Sequence, residues 1–157
     1  MKKLFILILV AGIAWSCGTP KTVLASKKVI TGNWNLETIT YNTSGTFNVK
    51  LLSDTSKECF EGSTWKFVGN NNEGIYTINN SDCPTGDRYF NFTIQEVNPE
   101  DGLFDFLLKP TDAKHKTPDG IGYRLRLARL GDSSMRWEQS ITLDGEPFII
   151  SMNFTKI

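Results

Sequence analysis

From residue 32 onwards, apolar and polar residues alternate along most of the chain. A period of two is typical of β-strands, whose side chains point in turn to opposite faces of a sheet. The alternation is clearest near the C-terminus, where single residues separate Phe148, Ile150 and Met152. Turn-forming sequences rich in Asn, Asp and Gly, such as 70–74 and 144–145, divide these runs.

The pattern predicts an all-β domain of about eight to nine antiparallel strands closed into an up-and-down barrel, with a two-sheet sandwich as the alternative. A change of face between Leu36 and Ile39 indicates a β-bulge in the first strand. The strands are expected at 34–41, 46–52, 64–68, 75–79, 88–97, 103–109, 123–128, 135–141 and from 148 to the C-terminus.

The N-terminal segment has the pattern of an export signal. Two lysines precede an apolar run from 4 to 15. A helix of that length would span roughly 18 Å, well short of the roughly 30 Å hydrocarbon core of a bilayer. We therefore predict a removable signal at 1–16 rather than a membrane-spanning helix.

Cys17 stands where the apolar run ends. Ala14, Trp15, Ser16 and Cys17 resemble a bacterial lipobox, which implies that Cys17 carries the lipid and becomes the first mature residue. An ordinary secretory signal with an incidental cysteine is the alternative. Residues 17–31 are small, polar or charged without a period, which predicts a flexible tether to a domain at 32–157.

The location and the partner classes follow from this N-terminus and from the charge. Without the signal, 15 basic and 17 acidic residues remain, a net charge of −2 that argues against a nucleic-acid partner.

No acidic residue follows Cys17 directly, so the surface-export tag of some lipoproteins is lacking. We expect a monomer anchored by lipid to the outer membrane, on the periplasmic side rather than at the surface.

Cys59 and Cys83 are the other two cysteines. An exported chain meets an oxidising compartment, where a pair of thiols is normally a disulfide. A metal site or a reactive thiol is the alternative. The sequence has no Cys-x-x-Cys and only one histidine, which favours the disulfide and predicts no metal and no cofactor.

Residues for catalysis are scarce. His115 lies between two lysines in a loop that we expect to be exposed, and most aspartates fall in turns. We therefore predict no catalytic residues and no enzymatic activity. The arginines at 124, 126, 129 and 136 form a stripe, with cross-strand pairing to Glu138, an anion site, or stacking of one of them on Trp34 as open interpretations.

The aromatic residues suggest what fills the barrel. Gly32 and Trp34 open the first strand, and we expect the indole to close one end of the barrel. A barrel of about eight strands can be filled by its own side chains or can hold one small ligand. Four tryptophans favour a partly open cavity, and its expected ligand-binding residues are Trp65, Phe67, Phe92, Phe106, Tyr123 and Trp137.

Over residues 32–157 the chain resembles the lipocalin-like lipoproteins of Bacteroidetes-type bacteria. The resemblance is carried by Gly32-Asn33-Trp34 after a lipoprotein signal, by the block from Cys59 to Phe67, and by Gly74-Ile75-Tyr76 before Cys83. It implies an up-and-down barrel that binds or sequesters a small hydrophobic molecule in the cell envelope. The alternative is a non-catalytic structural or interaction lipoprotein with a filled barrel that acts through loops 53–62 and 110–120.

Overall fold

The computed structural model describes residues 19–98, 103–117 and 120–157; the predicted signal, Cys17 and the turn at 99–102 lie outside these ranges. The helices are α1 (Lys21–Ile30) and α2 (Lys57–Phe60). The strands are β1 (Gly32–Tyr41), β2 (Lys50–Leu51), β3 (Thr55–Ser56), β4 (Thr64–Val68), β5 (Glu73–Ile78), β6 (Gly86–Asn98), β7 (Leu103–Thr111), β8 (Tyr123–Leu130), β9 (Ser134–Leu143) and β10 (Glu146–Lys156).

Eight strands form one closed antiparallel barrel in the order β1-β10-β9-β8-β7-β6-β5-β4. Trp34 on β1 closes the ring, since it pairs with Lys156 of β10 on one side and with Trp65 of β4 on the other. The register of β1 against β10 shifts between Leu36 and Thr38, so that Leu36 and Ile39 both face the core. The predicted barrel and the predicted bulge are therefore confirmed.

The predicted strand at 46–52 is not part of the barrel, which accounts for the ninth strand of the prediction. Only Lys50–Leu51 is extended there, and it pairs with Thr55–Ser56 in a separate two-stranded sheet. Leu52 and Ser53 have positive φ values of 50° and 53°, so the chain reverses immediately. We call residues 42–63 the lid, because Leu51, Leu52 and Phe60 within it are buried against the barrel.

The segment predicted as a tether also differs from the structure. Residues 21–30 form helix α1, which follows Pro20 and buries Val23, Ser26 and Ile30 against one end of the barrel. Tertiary packing supplies most of the stability of so short a helix, so the sequence period alone gives a weak signal. We call the end covered by α1 the closed end and the opposite end, which carries the lid, the mouth.

Candidate functional site

The interior of the barrel is filled by aromatic rings. Trp65 lies at its centre, with its ring centroid 4.4 Å from that of Tyr76 and 5.3 Å from that of Trp137. Phe106 stacks on Trp137 at 4.6 Å and lies 5.4 Å from Phe92. Such spacings are those of direct aromatic contact.

Five of the six predicted ligand-binding residues therefore pack against one another. Trp65, Phe67, Phe92, Phe106 and Trp137 are each no more than 2% exposed. Their rings occupy the space in which the sequence predicts a partly open cavity, and the filled core is what the structure contains. The strand period identified the inward-facing residues correctly, but a period does not give the volume that their side chains leave.

One glycine shapes this packing. Gly74 on β5 pairs with Phe90 on β6, and both residues face the interior. A Cβ atom at Gly74 would overlap with the ring of Phe90. The glycine therefore leaves room for the ring of Phe90 to lie over the backbone of β5.

Gly32 and Trp34 lie at the closed end. Trp34 is fully buried, and its Nε1 donates a hydrogen bond of 2.7 Å to the carbonyl of Ile30 at the end of α1. The cation over its ring is Lys156, whose Nζ lies 5.1 Å from the ring centroid and donates to the carbonyl of Val29 at 2.7 Å. The interpretation that an arginine stacks on this indole is thus wrong, because Lys156 holds the place.

Three arginines of the stripe form ion pairs with acids on the outer wall of the barrel. Arg126 of β8 contacts Glu138 of β9 at 3.0 Å, as the cross-strand interpretation predicts, whereas Arg136 contacts Glu138 at 3.3 Å along the same strand. Arg124 pairs instead with Asp105 at 2.8 Å. These arginines therefore neutralise strand carboxylates and do not converge on one anion site.

The lid is fixed to the mouth by a covalent bond. The predicted disulfide between Cys59 and Cys83 is present, with a Cα–Cα distance of 5.7 Å, and it joins the lid to the β5–β6 loop. Phe60 beside it lies 5.4 Å from the ring of Tyr76. The amide of Ile39 donates to Glu61 Oε1 at 2.7 Å, which attaches the lid to β1 as well.

A pocket of about 370 Å³ lies at the mouth, between the lid and the ends of β5 to β8. Tyr123 is the one predicted ligand-binding residue that lines it. Apolar side chains of the lid, of the end of β7 and of the segment before β8 line one part of the pocket. Polar side chains of the lid and of β6 line another part. The lining of the pocket includes Leu52, Asp54, Tyr76, Arg88, Pro110 and Tyr123.

Three polar side chains form a network at the base of this pocket. Asp54 Oδ2 accepts hydrogen bonds of 2.9 Å from the Tyr76 hydroxyl and from Arg88 Nε. Arg88 also donates to the carbonyls of Gly86 and Pro84 at 2.7 and 2.5 Å. Burial, followed by the charge of Asp54, raises the pKa of Tyr76 well above its ordinary value, so Tyr76 stays neutral and acts as a donor. The network fixes these three side chains relative to one another.

Sequence reasoning missed Asp54 and Arg88 as site residues. Asp54 lies in a stretch that reads as a polar loop, and its contact with Arg88 joins residues 34 positions apart. The alternation of β6 places Arg88 on the inward face with Phe90, and an inward arginine at a strand start was the one available signal.

His115 is less exposed than predicted. Its ring lies edge-on to Tyr89 at 5.9 Å, and its Nε2 is 3.7 Å from Glu73 Oε2. Its carbonyl accepts a hydrogen bond of 3.2 Å from the Asn91 side chain. The loop therefore folds back on the outer face of β6, which a run of polar residues does not indicate.

Neither a metal centre nor a spanning helix is found in the part of the chain that the structure describes. Within those ranges, no three His, Cys, Asp or Glu side chains group closely enough to hold a metal ion. No helix within 19–98, 103–117 or 120–157 is long and apolar enough to cross a membrane.

Comparison with known proteins gives a match over the N-terminal part of the barrel. The family model of a lipocalin-like domain matches residues 30–99, from the end of α1 through β6. This match supports the predicted resemblance to lipocalin-like proteins, and the closed eight-stranded barrel agrees with it.

One solved structure that is similar to this chain is that of a lipocalin-like protein from Bacteroides uniformis. It is 13% identical, the alignment covers 82% of this chain and 99% of that protein, and the TM-score is 0.49. Among proteins of curated function, none is significantly similar to this chain.

Proposed function

We propose that the protein is a lipid-anchored, non-catalytic binding protein of the bacterial cell envelope, which takes up a small amphipathic molecule at the mouth of its barrel. The observation that carries this proposal is the mouth pocket of about 370 Å³ above an aromatic-filled interior. A volume of this order suits a small molecule. The ligand binds above the packed rings rather than among them.

The lining of the pocket suits a ligand with an apolar body and a polar end. Leu52, Pro110 and the ring of Tyr123 offer apolar contact, while Asp54 and Arg88 lie beside them. The hydrogen bonds of Arg88 to Asp54, Gly86 and Pro84 use one N–H on each of its three nitrogens, and a guanidinium has five N–H donors in all. A hydrogen-bond acceptor at one end of the ligand would therefore find a fixed donor.

A displacement assay tests the mouth against the interior as the binding site. Anilinonaphthalene sulfonate is bound first, and a panel of medium-chain fatty acids and other amphiphiles then displaces it. Tyr123→Ala should weaken binding by about tenfold, since it removes a large ring from the pocket. Phe92→Leu, a matched change in the filled interior, should leave affinity unchanged. Weaker binding in Phe92→Leu alone, or no binding of any probe by the wild type, would overturn the proposal.

The anchor is proposed from the apolar run, the lipobox-like sequence and Cys17. The mature protein is a monomer held at the outer membrane, on its periplasmic side. Expression of Cys17→Ala in a bacterium that processes lipoproteins should move the protein from the membrane to the soluble fraction. Unchanged membrane attachment of this variant would refute the anchor.

A second candidate function is binding of a partner protein through an extended strand. The pairing of β8 with β9 ends towards the mouth at Arg126 and Glu138, although β9 continues to Leu143. Beyond that pair, Ile141 and Leu143 are 39% and 40% exposed. An open strand edge with exposed apolar side chains can accept a strand of another chain.

Variants of the open edge separate the two candidates. Ile141→Lys with Leu143→Lys should abolish capture of a protein partner from envelope extracts and leave displacement of the fluorescent probe unchanged. Tyr123→Ala should do the reverse. Loss of partner capture in the edge variant, with unchanged probe displacement in Tyr123→Ala, would favour the partner-binding function over the small-molecule one.

A further inference from the structure

Helix α1 presents a basic stripe to solvent. Lys21, Leu24 and Lys28 are spaced three and four residues apart and so lie on one face of the helix. All three are exposed, and Leu24 retains 52% of its accessible surface. Lys27 adds a third positive charge, and α1 contains no acidic residue.

The charges of this stripe are not neutralised by ion pairs. Within the described ranges, none of the three lysines of α1 lies within salt-bridge distance of an acid. The opposite face of the helix, with Val23, Ser26 and Ile30, is buried against the barrel. The stripe therefore points away from the barrel, at its closed end.

The length of chain before α1 limits where this stripe can be. Three residues lie between Cys17 and Lys21, so the four steps from one to the other reach at most about 14 Å at about 3.4 Å per residue. This upper limit is less than two Debye lengths, each about 8 Å at physiological ionic strength. A lipid on Cys17 would thus hold the lysines where the charge of the membrane surface is still felt.

We propose that the exposed face of α1 docks on the anionic phospholipid headgroups of the membrane that holds the protein. Lys21, Lys27 and Lys28 contact the headgroups, and Leu24 lies between them at the interface. The closed end then faces the membrane and the mouth faces away from it. This proposal depends on the proposed lipid anchor at Cys17.

Accessibility of lysines in the anchored protein tests the orientation. A chain that begins at Cys17 is coupled through its thiol to a maleimide-bearing phospholipid, on vesicles of phosphatidylcholine with or without phosphatidylglycerol. Exposed amines are acylated and quantified by mass spectrometry. On anionic vesicles, acylation of Lys21 and Lys28 should fall at least threefold (about one kcal/mol per basic residue), while Lys114 and Lys116, which are exposed in the β7–β8 loop, are unaffected. Equal acylation of Lys21 and Lys28 on both vesicles, or equal protection of Lys114 and Lys116, would overturn the proposal.

A matched pair of charge reversals supplies the second measurement. At low salt, the same chain with a blocked Cys17 thiol and no lipid is sedimented with anionic vesicles. Lys21→Glu with Lys28→Glu should reduce binding at least about tenfold, and Lys114→Glu with Lys116→Glu should not. Equal losses in both pairs would contradict docking through α1. Because the chemical linkage replaces cellular lipidation, failure here is distinct from failure of the anchor, which the fractionation of Cys17→Ala reports.

Discussion

Arg88 on β6 donates a hydrogen bond of 2.9 Å to Asp54 in the lid, and both side chains are more than three-quarters buried. The hydroxyl of Tyr76 donates to the same carboxylate oxygen at 2.9 Å. The lid is therefore joined to the barrel wall at the base of the mouth pocket by a charged group with two partners.

Removing the charge of Asp54 should loosen the lid. Asp54→Asn leaves the partly buried Arg88 without its anion and should lower the free energy of unfolding by about 1–3 kcal/mol. Urea denaturation measures the change. Asp105→Asn is the control, because its partner Arg124 is 69% exposed and such pairs contribute about 0–1 kcal/mol. Equal losses in the two variants would contradict the role of Asp54.

The disulfide should stabilise the protein by fixing the lid. Cys59 and Cys83 are 24 positions apart, and closing a loop of that size stabilises by about 3–4 kcal/mol in the chain-entropy model. Reduction, or Cys59→Ser with Cys83→Ser, should lower the melting temperature and slow the protein on a non-reducing gel. Identical melting with and without reductant would count against a structural disulfide.

Gly74 should tolerate no side chain. Gly74→Ala brings a methyl group into the ring of Phe90 and should cost about 1–3 kcal/mol of stability through overpacking. Gly131→Ala serves as the control, because a Cβ there would meet only the Ser134 carbonyl at 3.7 Å. The free energies of unfolding are compared in urea. A stable Gly74→Ala variant would show that the ring of Phe90 can move aside.

Tyr76 should make stability fall at high pH. Its pKa in the folded protein is raised above the unfolded value of 10.0, because burial and Asp54 disfavour the phenolate. The contribution of Tyr76 to the free energy of unfolding is complete below pH 10. It is lost as the pH rises further, because the unfolded chain then releases the phenol proton that the folded protein retains. The slope approaches about 1.4 kcal/mol per pH unit. Unfolding of wild type and Tyr76→Phe is compared between pH 8 and 11, roughly spanning this range; parallel curves would contradict the shift.

The sequence predicts the barrel well because its signals are local. Alternation in β6 and β10, the turn at 144–145 and the bulge after Leu36 each depend on a few neighbouring residues. The disulfide follows from the compartment and the number of cysteines. These features required no knowledge of distant contacts.

The features that were missed depend on contacts far apart in the chain. Lys156 lies over Trp34 only because β1 and β10 pair in one particular register. Helix α1 is stabilised by the barrel end on which it packs, and Lys50–Leu51 leaves the barrel because the chain reverses at Leu52. The filled interior depends on how all the inward rings fit together, which composition does not give.

The most direct measurement of the central claim is a titration of the isotope-labelled protein with a bound amphiphile, followed by amide and indole NMR signals. Binding at the mouth should shift the signals of Asp54, Arg88 and Tyr123 and leave the indole signal of Trp137 in place. Large shifts at Trp137 and Phe106, with the mouth unperturbed, would show that the ligand enters the interior and would contradict the account.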